Sequence, residues 1–217
     1  MKKPNINLLA VIVAVPVIGM TIIAPALTII KNDLNISFEN TQLILTLYFT
    51  FLAFGQILSG PFSDKYGRKP ILLLGASIYS ISAFFASLSS NIEILLILRC
   101  FQGFGAAACL SVGRTILSDC YEIKEAAKEM SKMTAIMAVI PISCFIFGGF
   151  LAEFLGWRTN LLALGLISLI LIIAMSFLLN ETLIKKAKSI SFKNMFIVYK
   201  GLIKNLSFNF FTITTAM

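Results

Sequence analysis

The residues best placed to do chemistry are few charged side chains set among long apolar runs. The stretch Gly60-Pro61-Phe62-Ser63-Asp64-Lys65-Tyr66-Gly67-Arg68-Lys69-Pro70 brings a carboxylate and a guanidinium to a four-residue spacing between two glycines. Gly60 and Gly67 suit a tight turn or a close helix approach. Asp64 and Arg68 can pair at a membrane boundary, where a charge pair carries more weight than in water. On its own chemistry such a turn can simply fix topology. A second set lies inside an apolar run: Arg99, Gln102, Gly103 and Ala106 fall at i, i+3, i+4 and i+7 and share one helical face. An arginine there is costly and faces a cavity or a partner, unless it snorkels to the boundary. Arg114 and Asp119, just beyond, read as charge partners at the same membrane edge as Arg68.

Catalytic chemistry is poorly supplied. The chain has no histidine, and neither His-Glu-x-x-His nor Gly-x-Ser-x-Gly occurs. Cys100, Cys109, Cys120 and Cys144 lack metal-site spacing and read as small apolar side chains. No catalytic residue, metal site or cofactor is expected. All ten acids, from Asp33 to Glu181, fall in loops or at the ends of apolar runs. A channel is equally unsupported, since no run carries a polar stripe or a carbonyl-filter sequence.

These groups must be positioned by membrane helices. Of the 217 residues, 58% are apolar and 13% charged, against about a quarter charged in a soluble domain. Six spans are expected at Leu8–Ile30, Thr41–Ser59, Ile71–Ser90, Ile94–Leu117, Met133–Leu151 and Leu161–Leu179, each long enough for a core of about 30 Å after tilt. The first could imitate a signal peptide, but its length and the spans behind it favour a retained helix. The formal charge of +8 is not a nucleic-acid footprint, because the basic residues lie between spans. With a cytoplasmic N-terminus, inner segments hold 15 lysines and arginines, the outer ends hold Lys31 and Arg158, and Arg99 is within a span. That bias sets the orientation in the inner membrane.

Residues 1–180 thus read as one six-helix bundle and 181–204 as a lysine-rich cytoplasmic linker with a short amphipathic stretch at Phe192–Tyr199. Residues 205–217 read as the start of a seventh helix, too short to cross. An internal repeat runs through the bundle. Gly60-x3-Asp64-x2-Gly67 returns as Gly149-x3-Glu153-x2-Gly156, 89 residues later and on the opposite membrane face. Two inverted three-helix repeats are the plan of each half of many transporters.

The loop from Gly60 to Pro70 resembles the signature loop between helices two and three of the major facilitator superfamily. The helix carrying Arg99, Gln102 and Gly103 is similar to that family's fourth helix. Pro141-x6-Gly148-Gly149, followed by Gly156-Trp157-Arg158, resembles the helix-five motif of its drug–proton antiporter branch, with Phe145 where a proline is usual. Ala24-Pro25-Ala26-Leu27 and Gly55-Gln56 complete a likeness to bicyclomycin-resistance-type multidrug exporters over the first 180 residues.

The resemblance implies an all-α fold, the N-terminal half of a secondary transporter that exports drugs or small amphipathic molecules. Its partners would be the lipid bilayer, a small-molecule substrate and protons, and a missing C-terminal six-helix half. It also implies gating by Gly60, Asp64, Gly67, Arg68 and Lys69 and proton coupling through Arg99. Thr21 stands where relatives often carry an acid, so coupling rests on the resemblance alone. The other readings are a remnant without transport activity and a transporter of another small metabolite. In an isolated half, Arg99 and Gln102 are expected on an open face, while Tyr48, Phe49, Phe51, Met133 and Met137 line a pocket or face lipid.

Overall fold

A computed structural model of the chain describes residues 4–183 and Gly201. Every element among the described residues is a helix, as expected of a chain whose backbone groups must be satisfied within each segment. Among residues 4–183, seven α-helices make six spans. Span 1 consists of α1 (Ile6–Thr21), a 3-10 turn (Ala24–Ala26) and α2 (Leu27–Asp33). Spans 2 to 6 are α3 (Phe38–Tyr66), α4 (Arg68–Ser87), α5 (Ile92–Cys120), α6 (Ile123–Leu155) and α7 (Trp157–Leu178). The predicted linker lies outside the described residues beyond Leu183, Gly201 apart, and the predicted seventh helix lies wholly outside them.

Local chemistry sets the ends. Asn5, Ser37 and Asn91 each accept a backbone N–H of the first turn that follows, at 2.9 to 3.4 Å. Between α3 and α4 the chain reverses on Gly67 (φ 114°, ψ 155°), and between α6 and α7 on Gly156 (φ 87°, ψ 154°). Both repeat copies therefore end in one left-handed residue, a conformation glycine adopts without a Cβ penalty. Three spans separate the two turns, so they lie at opposite ends of the bundle. Gly60, expected to share in the turn, is instead inside α3, and a Cβ there would meet nothing within 4 Å.

Two further expectations are corrected. The first span is not one continuous helix, because Pro25 has no N–H to donate to Thr21 and the chain tightens to a 3-10 turn. The other helices all begin before their expected spans, α6 most of all at Ile123, ten residues early, since charged ends can stay helical outside the hydrocarbon.

The repeats share part of their packing. Span 2 lies along span 4 and span 5 along span 1, with spans 3 and 6 in mutual contact, while span 3 packs closely on span 4 and span 6 only lightly on span 1. Small residues allow this approach: Gly55 meets Ala107, and Gly75 meets Ala108 and the Gly105 carbonyl. Spans 1 and 4 are central. Span 5 is the opposite case, with only Met133, Gly148 and Ala152 buried along its length.

Gly103 marks the tightest crossing, where an added Cβ would lie 2.2 Å from the Tyr48 carbonyl oxygen. Gly103→Ala should cost about 1–3 kcal/mol through overpacking of α3 on α5. Gly60→Ala should leave stability unchanged or slightly raised, as the added methyl has room. Unfolding in mixed detergent micelles measures both; equal midpoints would refute the close packing.

Candidate functional site

At the end of the bundle carrying Gly67, Arg68 is buried to 6% exposure despite its charge. Its Nε donates to Asp119 Oδ2 at 2.9 Å, and its Nη1 donates to Asp64 Oδ1 and, at 2.6 Å, to Ser63 Oγ. Two carboxylates on one guanidinium offset the cost of removing it from water. The expected pairing of Arg114 with Asp119 does not form. A spacing of five turns the two side chains to different sides of α5, leaving Arg114 exposed.

A residue that the sequence did not point to as part of this site completes it. Glu181, just after α7, accepts the backbone N–H groups of Arg68 at 2.9 Å and Lys69 at 3.3 Å, so it caps α4 where Gly67 has no side chain to do so. Lys69 Nζ in turn donates to the Ser176 carbonyl in the last turn of α7, at 2.8 Å. An anion sits on a helix N-terminus and a cation on a C-terminus, each complementing the local dipole. The turn is thereby tied to spans 2, 3, 4 and 6.

Arg99 is handled differently. It is fully buried, donating from Nη1 to Gln102 Oε1 at 2.6 Å, from Nη2 to the Gly19 carbonyl at 3.1 Å and from Nε to the Ile44 carbonyl at 3.4 Å. Its guanidinium also lies 4.3 Å from the centre of the Tyr48 ring. All these partners are neutral. The Gly19 carbonyl is available because α1 stops at Thr21, leaving its last carbonyls without helical donors. Tyr48 Oη donates to the Pro16 carbonyl at 2.9 Å, and Gly19 has room for no side chain beneath the Tyr48 and Tyr79 hydroxyls.

The expectation of an open face for Arg99 and Gln102 is therefore corrected, because α1 and α3 cover both. Tyr48 and Met133 are buried too, whereas Phe49 and Phe51 are exposed. Thr21 turns back on its own helix and donates to the Val17 carbonyl at 2.8 Å.

The helix-five residues meet the break in span 1. A Cβ on Gly148 would lie 2.3 Å from the Ile22 carbonyl oxygen, so only glycine permits this approach of α6. Gly149 faces Pro25. Pro141 lies two turns away, inside α6, and takes no part in this contact. Asn160 on α7, fully buried, donates through Nδ2 to the Ile22 carbonyl at 2.8 Å and the Gly148 carbonyl at 3.0 Å. Nothing along the chain marks Asn160 except that it is a polar residue early in an apolar span.

The family model described as Major Facilitator Superfamily matches residues 9–217, nearly the whole chain. The chain belongs to the Major Facilitator Superfamily. It is 30% identical to a bicyclomycin resistance protein homolog of Haemophilus influenzae over 80% of this chain and 44% of that protein. It is 33% identical to a chloramphenicol resistance protein of Pseudomonas aeruginosa over 69% of this chain and 36% of that one. Multidrug resistance protein D of Escherichia coli is 29% identical over 72% and 41% respectively. The fold matches the crystal structure of a bacterial homolog to the human lysosomal transporter Spinster, with a TM-score of 0.70 and 21% identity, over 86% of this chain and 45% of that one. The chain thus spans less than half the length of these relatives.

Among the described residues of this superfamily member, Glu181 offers a titration that can be checked outside the spans. Burial pushes the Glu181 carboxyl up, but the N–H groups of Leu183, Arg68, Lys69 and Thr182 together bring it below the ordinary glutamate value. A lowered carboxylate stabilises the fold above its ordinary range, and the contribution fades as pH falls through the folded value. Glu181→Ala should cost about 1 kcal/mol of capping at neutral pH, roughly a fivefold loss of amide protection at Arg68 and Lys69. The gap from the native chain should close as pH falls through and below the ordinary glutamate range. Hydrogen exchange at pH 7 and at about pH 3 checks this, and a gap independent of pH would contradict it.

Proposed function

We propose that this chain is one half of a secondary active transporter that exports drugs or other small amphipathic molecules across the inner membrane, coupled to protons. The Arg68 end is then cytoplasmic, as are the N-terminus and the segment 181–204, in keeping with the lysine and arginine bias. The observation that carries the reading is the buried Arg68 held between Asp64 and Asp119, because it locks three spans at one membrane edge through bonds that can be exchanged. A charge network of this kind is a two-state element: intact it holds the spans together, and rearranged it lets them part.

A second six-helix half would seat against the open length of α6, where Ala135, Ile136, Val139, Ile140, Ser143 and Cys144 line an apolar recess. Substrate would bind between the halves, near the midplane. The names of the relatives support an antibiotic-like or multidrug substrate class. Arg99 has only neutral partners here, so the carboxylate of a proton-coupled cycle would come from the second half.

Gating by the Gly60–Lys69 stretch is tested in the transporter with both halves present. Asp64→Asn and Arg68→Ala should each lower drug efflux about tenfold or more, the effect of losing a charge-assisted bond worth about 1.5–3 kcal/mol, with membrane levels unchanged. Efflux at the native rate in both variants would reduce the loop to a determinant of topology.

A further inference from the structure

The opposite end of the bundle holds a second clamp built on the same positions. Counting 89 residues on from the first turn, Gly67, Arg68 and Lys69 become Gly156, Trp157 and Arg158. Arg68 Nε donates to Asp119 at the end of span 4; Trp157 Nε1 donates to Asp33 at the end of span 1, also at 2.9 Å. Lys69 donates to a carbonyl near the end of span 6, and Arg158 Nη2 donates to the Ser89 carbonyl just past the end of span 3, at 3.2 Å. Arg158 Nη1 adds an ion pair to Asp33 at 2.7 Å, and its guanidinium lies 4.3 Å from the Trp157 ring centre. The inverted repeat thus reproduces the clamp as well as the turn, with tryptophan replacing arginine as the buried donor.

What this second clamp holds is unlike the rest of the bundle. Asp33 is the last residue of α2, a seven-residue helix separated from α1 by the break at 22–26. An acid at a helix C-terminus opposes the helix dipole, so the position is unfavourable without the cations and donors facing it. The break itself is anchored by Asn160 on the Ile22 carbonyl and by Gly148 beneath it. Beyond that anchor, α2 packs mainly on α3 and its own preceding turn, and the Asp33 carboxylate ties its far end to span 6.

We infer that Asp33, Trp157 and Arg158 are positioning residues that hold α2 against span 6, and that releasing them lets α2 pivot about the 22–26 break as an outer gate segment. The gating half of this inference rests on the transporter reading above; the pivot does not.

Trp157 is the sole tryptophan and is 2% exposed, so it reports directly on the clamp. The experiment uses the full chain in lipid nanodiscs. Asp33→Asn should red-shift Trp157 emission and make it easier to quench with acrylamide. A cysteine replacing the buried Ile30, with the four native cysteines replaced by serine, should then react about tenfold faster with a membrane-impermeant maleimide. Arg158→Gln should shift the labelling the same way while leaving the indole its acceptor, which covers the case in which Asp33→Asn does not fold. Asp33→Glu should return labelling towards the native rate, and Glu39→Gln, an exposed acid at the start of α3, should leave it there. Native-rate labelling of the Ile30 cysteine in Arg158→Gln and in folded Asp33→Asn would overturn the pivot. That outcome would leave the transporter reading standing, because the measurement needs no substrate.

Discussion

Two carbonyl groups released where Pro25 interrupts span 1 hold this bundle together. In hydrocarbon an unpaired carbonyl costs several kcal/mol, far more than a typical interhelical hydrogen bond contributes, so the freed groups dictate what must stand opposite them. The Gly19 carbonyl takes Arg99 from span 4, and the Ile22 carbonyl takes Asn160 from span 6. Gly148 of span 5 fits against the same break because it has no side chain. One interruption in one helix thus recruits three other spans, and it does so with polar groups that lipid alone could not satisfy.

The two buried arginines show how differently a membrane bundle can accommodate a guanidinium. Arg68, at the membrane edge, has two carboxylates and a serine, and its charge is matched locally. Arg99, deep in the bundle, has two carbonyls, an amide oxygen and an aromatic face, and no carboxylate among its partners. The first arrangement lies at the edge of the bundle with charged partners on two other spans, which is why it carries the gating proposal. The second is locked by backbone carbonyls that are also structural. A functional role for Arg99 would then be electrostatic, acting on an acid or substrate brought from outside this bundle.

Much of this was legible in the sequence, for physical reasons. Hydropathy locates spans because lipid selects composition residue by residue, and all six are present. The Gly-x3-acid-x2-Gly repeat was readable because both copies need a glycine at positive φ, and Gly67 and Gly156 share that geometry. Partners distant in sequence were not legible. Glu181 caps a helix 113 residues before it, and Asn160 reaches 138 residues back to Ile22. Proximity along the chain was actively misleading at Arg114, five residues from Asp119 and yet turned away from it. The open face assigned to Arg99 failed for the same reason, since periodicity shows which residues share a face and not which helix covers it.

The central claim is that two three-helix repeats lie in opposite orientations, each closing its second and third helices with the same glycine turn. Sided labelling of single cysteines at Tyr66 and Leu155, both exposed and each beside one of the turns, tests it most directly. In intact cells an impermeant maleimide should label the cysteine at Leu155 and spare the one at Tyr66, and in inside-out vesicles the pattern should reverse. Labelling of both cysteines from the same side would contradict the inverted repeat and the structure built on it.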